Sequence, residues 1–212
     1  MEIVLDARAK SFKEAFTQIY LTLVSVIQGV AVGYLATVIG SRGQAPSYSW
    51  ILIGATLVLI IGIWHTNAIG IAISAWVPTL ADSFIPFLIG AGEIFVIKSI
   101  NESIQDWVLS VAILNAGFIA AYLNYCLHMK RDAAASKAVA GAVEAVWHRG
   151  TLAVLGMAVI WTALYFVSLA LKGGGRQPFL LACAILLLML GHFIAQARAL
   201  HRLLDDYMAP QG

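Results

Sequence analysis

Charge is what this sequence has least of. Asp, Glu, Lys and Arg make up 11% of its 212 residues, against about 25% in soluble domains, which excludes an ordinary water-soluble globular fold. The net charge of +2 is small and its basic residues are scattered among segment ends, so no single-sign patch exists for a polyanion and nucleic acid is excluded as a partner. Cysteine is nearly absent as well. Cys126 and Cys183 fall near opposite faces of the topology derived below, too far apart to bridge, and carry no redox information. Also missing is a polar stretch long enough to fold alone: the longest runs from Lys130 to Arg149, so residues 1–212 read as one integral domain. Catalytic signatures of soluble enzymes are missing too. Gly173, Gly174 and Gly175 lack a following Lys-Ser pair, and there is neither a zinc-protease helix nor a nucleophile elbow. A soluble-type hydrolase is therefore disfavoured, and enzymatic activity is not expected.

Apolar residues are what is present, at 61% of the chain and a mean hydropathy of +0.87. Several uncharged runs reach about 20 residues, the length a helix needs to cross a hydrocarbon core roughly 30 Å thick. The expected fold is all-α, a polytopic transmembrane helical bundle of six membrane-spanning helices with both termini cytoplasmic. The spans are placed at about 15–40, 49–76, 82–98, 107–129, 151–171 and 178–200. A short interfacial helix is expected over the charged residues 1–14, and an amphipathic cytoplasmic helix at about 131–147, where Val139, Val143 and Val146 recur at helical spacing. Pro78 ends the second span, Asp82 or Ser83 caps the third, and Pro86 falls in its first turn. Residues 99–106 read as a polar turn. The first run, from about Phe16 to Gly40, outlasts the core of a signal peptide.

Lys and Arg set the orientation, because the cytoplasmic side carries their excess. Six spans with both ends inside put nine of them inside (Arg8, Lys10, Lys13, Lys130, Arg131, Lys137, Arg149, Arg198, Arg202) and four outside (Arg42, Lys98, Lys172, Arg176). A prokaryotic plasma membrane is the expected location, with the lipid bilayer as the first partner.

Two small-residue seams at four-residue spacing, Ser25/Gly29/Gly33/Thr37 and Gly62/Thr66/Gly70/Ser74, are expected to pack the first two spans on one another, or on a second protomer or a larger membrane complex. Glu93 and His65 each lie about 16–17 Å from the inner end of their spans at 1.5 Å per residue, and Gln28 and Asn115 fall within a few ångströms of the same level. Asn67 lies two residues beyond His65. Ionisable groups at such depth are rare and mark functional sites. A carboxylate and an imidazole that pair there offset each other's burial and exchange a proton. Glu93 and His65, with Gln28, Asn67 and Asn115, thus form the candidate ion-binding set of a channel or transporter for protons or another small cation. The plainer reading is hydrogen bonding across helices, worth on average about 0.6 kcal/mol per pair in one membrane protein. Two other classes remain: a haem b electron-transfer protein ligated by His65 and His192, and a non-catalytic subunit of a membrane complex. Outside the haem reading, no cofactor and no metal is expected.

Overall fold

The computed structural model describes residues 2–41, 47–73, 80–133, 155–170 and 176–208, which are helical apart from short turns, with no strand among them. Among the described residues six helices follow in chain order: α1 (Glu2–Gly40), α2 (Ser47–Ile73), α3 (Leu80–Ser99), α4 (Ile104–Ala133), α5 (Leu155–Ala170) and α6 (Arg176–Met208). Among the described residues three stretches, Gln18–Gly40, Ser47–Ala68 and Gln177–Ala199, are long and apolar enough to cross a membrane, where six spans were expected. Ile104–Ala120 and Leu155–Ala170 are shorter apolar helices, and α3 carries Asp82, Glu93 and Lys98 within its 20 residues. Large apolar side chains also cover the outside: Leu88, Phe95, Val159, Phe166 and Leu187 are each more than 60% exposed. A water-soluble fold does not present such a surface unpartnered.

Three expectations about local structure change. The N-terminal charges do not form a separate interfacial helix, since α1 continues unbroken from Glu2 to Gly40. α3 starts at Leu80, which puts Asp82 and Ser83 inside its first turn instead of at a cap and leaves Pro86 in the helix interior, where its missing N–H removes the bond to the carbonyl four residues back. The turn between α3 and α4 is shorter than 99–106 because Ser103 restarts the helix. Ser103 Oγ accepts from the Asp106 backbone N–H at 3.1 Å and donates to the Asp106 carboxylate, a reciprocal cap that satisfies an orphan amide of the first turn. The amphipathic helix expected over 131–147 lies almost entirely outside the described residues.

The core gathers beside that turn. Trp107, fully buried, donates its indole N–H to Thr56 Oγ1 at 3.0 Å and meets the Trp161 ring edge-on at 6.1 Å. Leu52, Ile60, Val96, Ile97, Ile100, Val108 and Ile185 complete it. Gln105 Nε2 donates to the Ser168 carbonyl at 3.0 Å and ties α4 to α5. Cys183 is a half-buried free thiol.

α2 packs chiefly along α6, α3 along α4, and α1 against both α3 and α2. Of the α1 seam only Ser25 makes such a contact, accepting from the Trp64 indole of α2 at 3.2 Å. Ser25, Gly29, Gly33 and Thr37 are all exposed, and a Cβ at Gly29 or Gly33 meets nothing within 4 Å. The packing face is the larger-residue stripe Tyr20, Val24, Gln28, Ala31, Leu35 and Val38, whose bulk fills the grooves of the neighbouring helices. On α2, Gly62 does face a partner, but it is Phe193 of α6, 3.3 Å from the site of a Cβ. Gly62→Leu is therefore expected to lower stability by about 1–3 kcal/mol through overpacking, whereas Gly29→Leu and Gly54→Leu, in open space, stay within about 0.5 kcal/mol. Thermal melting in detergent checks the order. Equal shifts at all three positions would refute this assignment of faces.

Candidate functional site

Two glycines bring three helices together around Glu93. A Cβ on Gly90 would fall inside van der Waals contact with Ile27 Cγ2 of α1, and one on Gly92 would lie 2.6 Å from Leu114 Cδ1 of α4. Because Gly90 has no side chain, α1 comes close enough for Gln28 to reach the carboxylate. Gln28 Nε2 donates to Glu93 Oε1 at 2.9 Å. Glu93 is 0% exposed and Gln28 6%. One turn away on the same faces stand Val24, Ala31, Ile89, Val96 and Ile97, all buried and apolar. Two oxygens are left over: Gln28 Oε1 and Glu93 Oε2 are both buried without a hydrogen-bond partner among the described residues. An ionised carboxylate so placed, with no counter-charge beside it among the described residues, costs several kcal/mol.

His65 stands elsewhere. Its ring meets Phe193 edge-on at 5.6 Å and His201 at 5.8 Å, both on α6, and its Nδ1 is buried without a partner among the described residues. Depth and direction separate here. Trp64, one residue earlier, donates to Ser25 Oγ of α1 at 3.2 Å, less than one turn from Gln28, so α2 passes the carboxylate at nearly the expected level. Successive side chains on a helix diverge by about 100°: Trp64 turns to α1 and His65 to α6. Glu93 is thus joined to Gln28, and His65 is not brought to it. Asn67 bonds within its own helix, Nδ2 to the Ile63 carbonyl at 2.8 Å. Asn115, half-buried, follows the Leu114 that packs on Gly92 and does not hydrogen-bond the carboxylate.

His192, the other histidine of the haem reading, precedes Phe193 on α6, and it is Phe193 whose ring meets His65. Among the described residues no three His, Cys, Asp or Glu side chains gather as metal ligands.

Gln28 as the partner of Glu93 was the link that sequence reasoning did not make. Its signal is the buried α1 stripe in which Gln28 is the one amide, set against glycines at 90 and 92 on the other helix. Comparison of the chain with known protein families, curated protein sequences and solved structures finds no match.

Proposed function

We propose that the protein carries protons or another small cation across a membrane and that Glu93 binds the ion in transit. One observation carries the reading: a fully buried carboxylate whose only hydrogen bond among the described residues comes from an amide, and whose second oxygen is unpartnered. Intramembrane carboxylates of this kind mark ion and proton pathways. The proposed topology has six spans with both termini cytoplasmic, in a prokaryotic plasma membrane, with nine Lys and Arg inside against four outside. α3 belongs among the spans because its outward residues Phe84, Phe87, Leu88 and Phe95 are all apolar and more than half exposed. At 20 residues it spans about 30 Å.

Flux into proteoliposomes tests the reading. Glu93→Gln is expected to remove most of the flux, Gln28→Ala to reduce it, and His65→Ala to leave most of it, since His65 makes no contact with the carboxylate. Unchanged flux in Glu93→Gln would take Glu93 out of the mechanism. A loss in His65→Ala as deep as in Glu93→Gln would restore the histidine to it.

A further inference from the structure

The hydrogen-bond inventory at Glu93 narrows the ion. A glutamine amide offers two donor hydrogens and one acceptor oxygen, and an ionised carboxylate only accepts. With Glu93 ionised, one amide hydrogen is used on Glu93 Oε1, and two acceptors remain, Gln28 Oε1 and Glu93 Oε2, both buried and both unpartnered. Buried polar atoms are nearly always satisfied, so a pair of orphans on two side chains already bonded to each other calls for a common cause. A single proton on Glu93 Oε2 removes both, because the new O–H can donate to the amide oxygen.

We infer that the ion held here is a proton, bound between Glu93 and Gln28 as a two-way carboxylic acid–amide pair. Glu93 Oε2–H donates to Gln28 Oε1 while Gln28 Nε2–H donates to Glu93 Oε1. This rests on the transport reading for its role, though not for its geometry. A metal ion stripped of water is held by a shell of about six to eight oxygens when it is hard and divalent, and potassium filters likewise surround their ion with carbonyls. Glu93 and Gln28 supply two free oxygens. Gly90 and Gly92 on either side lie against Ile27 and Leu114, which leaves little room there for the further oxygens such an ion needs. A protonated pair is also neutral, which suits a side chain with no exposed surface and no cation beside it among the described residues.

Infrared spectroscopy of the full chain in lipid, at the pH of the flux assay, tests this. The expected spectrum has a protonated-carboxyl band that shifts in heavy water, is lost in Glu93→Gln and moves in Gln28→Leu. Gln28→Asn, which keeps an amide but shortens its reach, should move the band as well, and circular dichroism identifies variants that have kept their helical content. Sodium or potassium chloride at constant pH should leave the band in place. A difference between wild type and Glu93→Gln that contains carboxylate bands alone would overturn the inference. So would conversion of the acid band to carboxylate on adding either salt, or a band that stays put in both folded Gln28 variants. Failures of the two readings are separable. Sodium-driven flux with loss of the acid band defeats the proton pair and leaves cation transport standing. An acid band of the expected behaviour with no flux of any cation defeats transport and leaves the pair.

Discussion

Truncating Trp107 to alanine is expected to destabilise the protein by about 3 kcal/mol or more, at the level measured for large aromatic residues in packed cores. Trp107 has no exposed surface, and its indole lies edge-on to Trp161 while bonding Thr56. In lipid the transfer of apolar surface contributes less than in water, since the acyl chains are as apolar as the core. What remains is the cavity, with its lost dispersion contacts on three helices, and the edge-to-face ring pair, worth about 0.5–1.5 kcal/mol. Thr56 is the smaller part of the loss. Its hydroxyl still donates to the Leu52 carbonyl at 2.8 Å once the indole is gone. Trp107→Phe, which keeps a ring and gives up the N–H, should accordingly cost about 1 kcal/mol from the hydrogen bond plus a small repacking loss. Thermal or denaturant unfolding in detergent should rank Trp107→Ala well below Trp107→Phe, and Trp50→Ala, whose parent ring is more than half exposed, nearest to wild type. Equal losses in Trp107→Ala and Trp50→Ala would show that the α2–α4–α5 junction is not the core.

The second large effect is expected at Gly90, where one methyl group should damage both stability and ion binding. Ala at this position pushes its Cβ into Ile27 Cγ2, and Ile27 is β-branched, with essentially one rotamer available in a helix. The neighbour cannot step aside, so α1 and α3 must separate. Overpacking of this kind costs about 1–3 kcal/mol. The 2.9 Å bond from Gln28 to Glu93 spans the same gap, and flux is expected to fall although both of its residues are intact. Gly92→Ala should be milder. The atom it meets, Leu114 Cδ1 at 2.6 Å, is the far end of a flexible side chain that can change rotamer. Gly54→Ala, in open space, supplies the control and should if anything stabilise its helix. Melting curves and flux measured on the three variants decide the matter. Gly90→Ala that melts and conducts like Gly54→Ala would mean that α1 and α3 do not meet at this point.

Much of the site is legible in the residues themselves, and the part that is not has a definite form. Glu93, Gln28 and His65 stand out because polar groups in apolar helices are expensive wherever they face, and their depth follows from a fixed rise per residue. Their direction does not follow. The hydrophobic pattern of a helix with apolar residues all round gives no preferred face, and with such a pattern on α2 nothing local says whether Trp64 or His65 turns toward Glu93. The α1 seam misleads for a related reason. A row of small residues permits close approach without requiring it, and on α1 the adjoining stripe of Tyr20, Val24, Gln28, Ala31, Leu35 and Val38 offered the larger contact.

By itself the sequence indicated the class of the protein: a helical chain with apolar stretches long enough to cross a membrane, read there as six spans where the described residues show three, and a carboxylate set inside one of its helices. Composition and length suffice for that, because each segment must satisfy its own backbone hydrogen bonds and match its own surroundings, whatever its neighbours do. Only the tertiary structure decided which helices touch, that Gln28 and not His65 holds Glu93, and that His65 looks to Phe193 and His201. Such choices depend on the steric fit of whole faces, on a missing Cβ at Gly90 and the fixed shape of Ile27, and packing of that kind is a property of pairs of helices that neither one encodes alone.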